Sequence, residues 1–246
     1  MRQNLQTETV LKYEVSEIPE NGIPAIIVAA GSFTRMEGVN KQLAEISGIP
    51  VIIRTLMAFE NSNLVSSIIL VVRADDVFSV QLLTEKYGIT KLTDIVCGGN
   101  CRQESVVKGL SRVSVTAEKV LIHDGARPLV DGETIERVAK GLDSFSAVTC
   151  AVPIVDTVKR VDTNGQVLET LNRDGLVSVQ TPQGVRVTDY KSALEKAEDL
   201  SAFTDDMSIM EKAGFKVLTV MGSRDNIKIT TKRDIPFAES LLEERE

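Results

Sequence analysis

Tryptophan is absent from the 246-residue chain, and aromatic residues make up only 4% of it. Aliphatic side chains must therefore build the core. No apolar run approaches the about 20 residues needed to span a bilayer. The first residues lack the apolar stretch of a secretory signal, so a cytoplasmic protein is expected. Cysteine is scarce, with three in all. Cys97 and Cys101 stand close together, but no second pair completes a metal site, and they read as small buried or half-buried thiols. An excess of positive charge is also missing. The net charge of −7 makes electrostatic nucleic-acid binding a poor match. Internal repeats, low-complexity tracts and interdomain linkers are missing as well. The G-x-G-x-x-G pattern does not follow the first apolar run, and Arg73 stands after the next one, where a ribose-binding acid would be wanted. Both facts argue against a Rossmann dehydrogenase.

What is present is an ordinary globular composition, 43% hydrophobic and 26% charged. The chain is organised around residues 24–43. Ala25 to Ala30 form a continuous apolar run, too short for an ordinary helix and suited to a strand buried on both faces. Gly31 ends it, and a loop with Arg35 and Lys41 follows. Further strands are expected at 67–72, 94–97, 119–123, 146–152 and 216–220, with a short one at 226–230. Helices are expected from Pro50 onward, where Ile52, Leu56 and Phe59 share a face, and at 75–86, 104–112, 133–142, 188–198, 205–213 and 232–244. This alternation predicts an α/β fold with a doubly wound, mostly parallel sheet. Residues 1–22 read as a polar extension without chemistry, with a possible strand at 10–15. Residues 23–246 read as a single domain. The alternation breaks at 153–180, where two β-rich arms flank Asn164-Gly165, a strong hairpin signal. A protruding β-hairpin arm is expected there, of a kind that embraces a partner subunit.

Ligands of doubly wound folds bind beyond the carboxyl ends of the strands. There the sequence places Gly31, Arg35 and Lys41; then Gly98, Gly99, Asn100, Arg102 and Ser105; then Asp124, Gly125 and Arg127; and finally Lys228. The arm adds Thr157, Lys159 and Arg173. Each has a plainer reading: Arg127 as a surface charge, His123 as a core histidine with satisfied hydrogen bonds. Their joint occurrence in an acidic protein points to an anion site for phosphates.

The same residues carry a resemblance. In order, the chain shows Ala29-Ala30-Gly31 with Arg35-Met36 and Lys41-Gln42; Gly98-Gly99 with Arg102-Gln103 and Ser105-Val106; His123-Asp124-Gly125-Ala126-Arg127-Pro128; Asp156-Thr157-Val158-Lys159; Asn172-Arg173-Asp174-Gly175-Leu176; Thr181-Pro182-Gln183; Thr204-Asp205; and Asp225-Asn226-Ile227-Lys228-Ile229-Thr230. Across nearly all of the chain beyond the extension, it resembles the 2-C-methyl-D-erythritol 4-phosphate cytidylyltransferase family of the non-mevalonate isoprenoid pathway. The resemblance implies a Rossmann-like nucleotidyltransferase sheet. It also implies a reaction in which CTP and methylerythritol phosphate give CDP-methylerythritol and pyrophosphate with Mg²⁺. Arg35 and Lys41 would neutralise the triphosphate, and Lys228 would bridge the α-phosphate and the incoming phosphate. Arg173, assisted by Thr157, would position the substrate phosphate from the arm of a second subunit, so a homodimer is implied. Ala29, Ala30, Gly31, Gly98, Gly99, Ser105, Asp124 and Gly125 would hold CTP. Asp124, Arg127, Thr204 and Asp205 would contact the methylerythritol hydroxyls or the ribose, and Thr181 the substrate. Asp124 would also touch Mg²⁺, whose ligands come mostly from triphosphate oxygens.

Three features depart from the family pattern. Phe33 replaces a second loop glycine, Asn40 replaces a proline before the lysine, and the interval from Arg35 to Lys41 is about one residue short. A reshaped loop is expected from them. Two other readings stay open: a ribitol 5-phosphate cytidylyltransferase, and a catalytically weak CTP-binding regulator.

Overall fold

The computed structural model describes residues 11–12, 22–31 and 40–245. Its strands are β1 (Leu11–Lys12), β2 (Ile23–Val28), β3 (Glu45–Ile46), β4 (Ile49–Pro50), β5 (Val65–Val72), β6 (Leu92–Cys97), β7 (Lys119–Asp124), β8 (Ala147–Pro153), β9 (Lys159–Val161), β10 (Val167–Thr170), β11 (Val177–Arg186) and β12 (Val217–Met221). Its helices are α1 (Val51–Glu60), α2 (Val77–Lys86), α3 (Arg102–Leu110), α4 (Gly132–Gly141), α5 (Val187–Glu195), α6 (Asp206–Lys212) and α7 (Asp234–Glu243).

Eight strands form the main sheet, in the order β1-β6-β5-β2-β7-β11-β8-β12. β6, β5, β2 and β7 run parallel, as do β8 and β12. The mostly parallel α/β sheet expected from the sequence is therefore present. β2 shows why it is wound on both faces. Ala25, Ile27 and Ala29 pack into one core cluster with Ile52, Leu56 and Phe59 of α1 and Ile135 and Val138 of α4. Ile26 and Val28 pack into the other, with Val106 of α3, Tyr190 of α5 and Met210 of α6. The period-two alternation of a strand sends successive side chains to opposite layers, so both parities must be apolar. A smaller third cluster joins Ile46, Val51, Leu129, Ile229 and Ala238 of α7.

Three elements differ from the expectations. The 153–180 arm is shorter, because its last residues return to the sheet. β11 pairs antiparallel with both β8 and β7, Val177 opposite Pro153 and Gln183 opposite Ile122. What protrudes is the β9–β10 hairpin, turned at Asn164-Gly165, where Gly165 adopts φ +82°. Residues 226–230 form no ladder; Ile229 donates one backbone hydrogen bond to Ala126 O at 2.8 Å and buries its side chain. Third, α3 begins at Arg102 rather than Glu104, because the Cys101 thiol caps it by accepting the Glu104 N–H. Of the strand expected at 10–15, residues 11–12 are described and pair with Ile95 and Asp94. Apart from Gly22, the rest of the extension lies outside the described residues.

Candidate active site

β2, β5, β6 and β7 end at one rim. Gly98 follows β6 and passes so close to β2 that a Cβ on it would stand 2.2 Å from the Cβ of Ala30; only glycine fits there. The loop is then tied to the first turn of α3. The Gly99 N–H donates to Ser105 Oγ at 3.0 Å, and Ser105 Oγ donates to Cys101 O at 3.0 Å. The Asn100 N–H donates to Glu104 Oε2 at 2.7 Å. Ala30, Gly31, Lys41, Gly99, Ser105, Arg102, Asp124 and Lys228 line a cleft of about 610 Å³ above this loop. Asn40 anchors the Lys41 segment: its Nδ2 donates to Asp76 Oδ1 at 2.8 Å, and its Oδ1 accepts the Gln42 N–H at 3.0 Å.

A second cleft of about 240 Å³ adjoins the first and is lined by Arg127, Gln180, Thr181, Gln183, Thr204 and Asp205. The two share Arg102, Asp124 and Lys228. At this junction Asp124 ends β7 with its carboxylate nearly buried. Its Oδ1 accepts from Arg102 Nε at 3.0 Å, and its Oδ2 from Lys228 Nζ at 2.7 Å, with Arg127 Nε at 3.7 Å. Burial opposes ionisation of Asp124, but the charges of Arg102, Lys228 and Arg127 outweigh it and hold the carboxyl well below the usual range. Arg102 also reaches Asp206 Oδ2 through Nη1, at 2.8 Å. Burial disfavours the Arg102 charge, yet the two carboxylates more than compensate, and the guanidinium stays charged.

Behind this junction His123 is fully buried. Its Nε2 meets Arg127 O at 3.1 Å and its Nδ1 meets Thr181 Oγ1 at 3.0 Å. Burial pushes its pKa down to about 3, so the ring is neutral at physiological pH. The expectation of a satisfied core histidine therefore holds.

The structure brings Ala30, Gly31, Lys41, Gly99, Ser105, Asp124 and Lys228 to one cleft, and Arg127, Thr181, Thr204 and Asp205 to the other. Ala29, Gly98 and Gly125 line neither; they form the packed wall behind, where a Cβ on Gly125 would crowd Ala29 and Ile52. Thr157 and Arg173 are exposed on the arm and line neither cleft. Arg173 donates to its own arm's Val155 O. Arg35, with Phe33, lies outside the described residues. Sequence reasoning noted Arg102 among the rim cations but did not assign it a role, and it missed Asp206 and Gln183 as partners. The one available signal was the position of Arg102 directly after the glycine pair. Among the described residues no group of three or more His, Cys, Asp or Glu is placed to hold a metal. Both Asp124 oxygens are engaged by cations, so a divalent ion here would have to take most of its ligands from a bound substrate rather than from these side chains.

An α/β sheet whose carboxyl rim joins a glycine-lined cleft to a hydroxyl-lined one across a cationic junction has the layout of a nucleotidyltransferase. The family model described as IspD, 2-C-methyl-D-erythritol 4-phosphate cytidylyltransferase, matches residues 23–244, and the chain belongs to that family. A Clostridium novyi 2-C-methyl-D-erythritol 4-phosphate cytidylyltransferase is 41% identical over 222 residues, covering 89% of this chain and 96% of its own. The Halalkalibacterium halodurans protein of the same name is 41% identical over 223 residues, covering 90% and 97%. Among solved structures, the 4-diphosphocytidyl-2C-methyl-D-erythritol synthase of Anaerococcus prevotii aligns with a TM-score of 0.80 at 34% identity, covering 91% of this chain and 96% of its own.

Proposed function

We propose that the protein transfers CMP from CTP to 2-C-methyl-D-erythritol 4-phosphate, releasing pyrophosphate and forming CDP-methylerythritol for isoprenoid precursor synthesis. Family membership supports the reaction. The observation that carries it to this chain is the pair of clefts meeting at Arg102, Asp124 and Lys228. The larger would take CTP, with its base and ribose over the 98–105 loop. The smaller would take the polyol phosphate, its hydroxyls facing Thr181, Thr204 and Asp205.

A phosphate oxygen of the acceptor attacks the α-phosphorus. The new P–O bond forms as the bond to the β-phosphate bridging oxygen breaks, and pyrophosphate leaves with that electron pair. A phosphate monoester has its second pKa near about 6, so the nucleophile is ionised at neutral pH and no general base is needed. The barrier is then repulsion between anions and loss of geometry, which positioned cations lower. Lys228, shared by both clefts, bridges the two reacting phosphates, and Lys41 neutralises the triphosphate with Arg35. Asp124 would be the protein oxygen to meet a magnesium ion that came with the triphosphate, and such an ion would supply further charge neutralisation. Arg173 and Thr157 act from the arm of a second copy. The exposed Val161, Val167 and Leu168 of the hairpin suit an apolar contact with that copy. A cytoplasmic location accords with the finding that no described helix is long and apolar enough to cross a membrane.

The test is pyrophosphate release from CTP and Mg²⁺ with methylerythritol phosphate or ribitol 5-phosphate as acceptor, for the unmodified protein and Lys228→Ala. Release with methylerythritol phosphate alone, reduced about 100-fold or more in the variant, is expected. Release only with ribitol 5-phosphate would transfer the assignment to that acceptor. CTP binding without release would favour the regulator.

A further inference from the structure

Asp206 is fully buried, and the mechanism above gives it no work. It is the first residue of α6, placed by the Asp205 cap, and its N–H donates to Gln183 Oε1 at 3.1 Å. Its two carboxylate oxygens are divided. Oδ1 accepts from the Tyr190 hydroxyl at 2.6 Å, and Oδ2 accepts from Arg102 Nη1 at 2.8 Å. Tyr190, in α5, is also fully buried. Four groups therefore stand in line between the interior and the cleft junction: Tyr190, Asp206, Arg102 and Asp124, with Lys228 at the wet end.

We propose that Tyr190 and Asp206 are positioning residues for the transfer: they anchor Arg102 so that Asp124 keeps a counter-cation when Lys228 turns from it to the reacting phosphates. The inference rests on the reaction proposed above. In the free protein Lys228 is held by Asp124 at 2.7 Å. To bridge two phosphates it must give up or share that contact. A buried carboxylate stripped of its partner is strongly disfavoured, which would pin Lys228 in place. Arg102 removes this obstacle, because its Nε already holds the other oxygen of Asp124, at 3.0 Å. It does so only while its own orientation is fixed. A guanidinium is planar, so fixing Nη1 on Asp206 sets the direction of Nε. Tyr190 in turn holds the Asp206 carboxylate to one rotamer. Burial, then the Asp206 charge, push the Tyr190 hydroxyl well above its ordinary pKa, so it remains a donor throughout the working range. Arg102 Nη2 is left buried without a hydrogen-bond partner, so the guanidinium is held through Nε and Nη1 alone. For stability alone, an apolar cluster would serve this interior as well as a tyrosine, a carboxylate and a guanidinium do.

The experiment uses the full chain with Tyr190→Phe and, as a second route, the isosteric Asp206→Asn, each alone and combined with Lys228→Ala. Pyrophosphate release gives kcat and KM for both substrates, and calorimetry gives the CTP dissociation constant. Tyr190→Phe is expected to lower kcat about tenfold while CTP binding stays within about twofold, as misplacement of a catalytic group does. In the Lys228→Ala background the same change should leave the residual rate unaltered, since no lysine remains to be released. An unchanged kcat in both single variants, or an equal loss in both backgrounds, overturns the inference and marks the network as purely structural. If the unmodified protein releases no pyrophosphate, the proposed function fails first, and this inference with it.

Discussion

Thr181 joins the two halves of the junction through one hydroxyl. Arg127 O can only accept, so His123 Nε2 must carry the ring proton and Nδ1 is left as an acceptor. The Thr181 hydroxyl therefore donates to Nδ1, and its oxygen accepts the Asp124 N–H at 3.1 Å. Both partners are buried. Thr181→Val keeps the shape and removes both bonds, leaving a buried donor and a buried acceptor unpaired. A loss of about 2 kcal/mol or more is expected in urea unfolding, since each such orphan costs about 1–3 kcal/mol. Because Asp124 shifts with its backbone, kcat should fall as well. Thr181→Ser restores the hydroxyl and should recover most of both. A valine variant as stable as the unmodified protein would refute the hydrogen-bond assignment.

At the scale of elements, the sequence exposed what depends on local pattern and hid what depends on meeting in space. β2 was legible because both parities of its side chains are apolar, which only a doubly covered strand requires. The hairpin turn was legible from Asn164-Gly165. β11 was not, because an antiparallel strand between β7 and β8 is chosen by the sheet, through pairs such as Gly184 with Leu121 and Val148, and not by its own residues. The clefts were partly legible, since glycines and cations fall at strand ends. The tie between Arg102 and Asp206 was not, because the two lie 104 positions apart and on different helices. The arm carries its own prediction. Arg173 is exposed in the connection between β10 and β11 and lines neither cleft of its own chain. If it serves a second copy, Arg173→Ala and Lys228→Ala chains are each inactive alone, yet their mixed dimers contain one intact site. Random mixing should then restore about a quarter of the unmodified activity, from half the dimers with one site in two. Equal mixing of two inactive chains that restores nothing would place Arg173 in its own chain's site, and an Arg173→Ala chain active alone would place it outside catalysis.

The whole molecule carries a net charge of −7, yet its clefts are lined by Lys41, Arg73, Arg102, Arg127 and Lys228. Anionic substrates are thus drawn to one rim of a protein that repels them elsewhere. The cost of building that rim on buried ionisable groups appears in the pH dependence of folding. Burial holds His123 neutral, with its pKa pushed from 6.5 to about 3. The unfolded chain, with the ordinary value, therefore binds a proton that the folded chain refuses between these limits. The stability associated with neutral His123 is complete above about pH 6.5 and declines as pH falls toward 3, by up to about 1.4 kcal/mol per pH unit. Asp124 acts in the same direction but lower. Its folded pKa lies below 3.8, so its contribution is present above that value and is lost as pH falls further. Unfolding free energies from urea titrations should therefore be level from about pH 8 to 7 and fall below about pH 6. His123→Asn cannot titrate, so whatever its absolute stability, its curve should be shallower by about 1.4 kcal/mol per pH unit between about pH 6 and 4.5. The remaining carboxylates contribute equally to both proteins and cancel in the comparison. Parallel curves for the two proteins would mean that His123 accepts its proton in the folded state, and the buried neutral ring behind the junction would have to be abandoned.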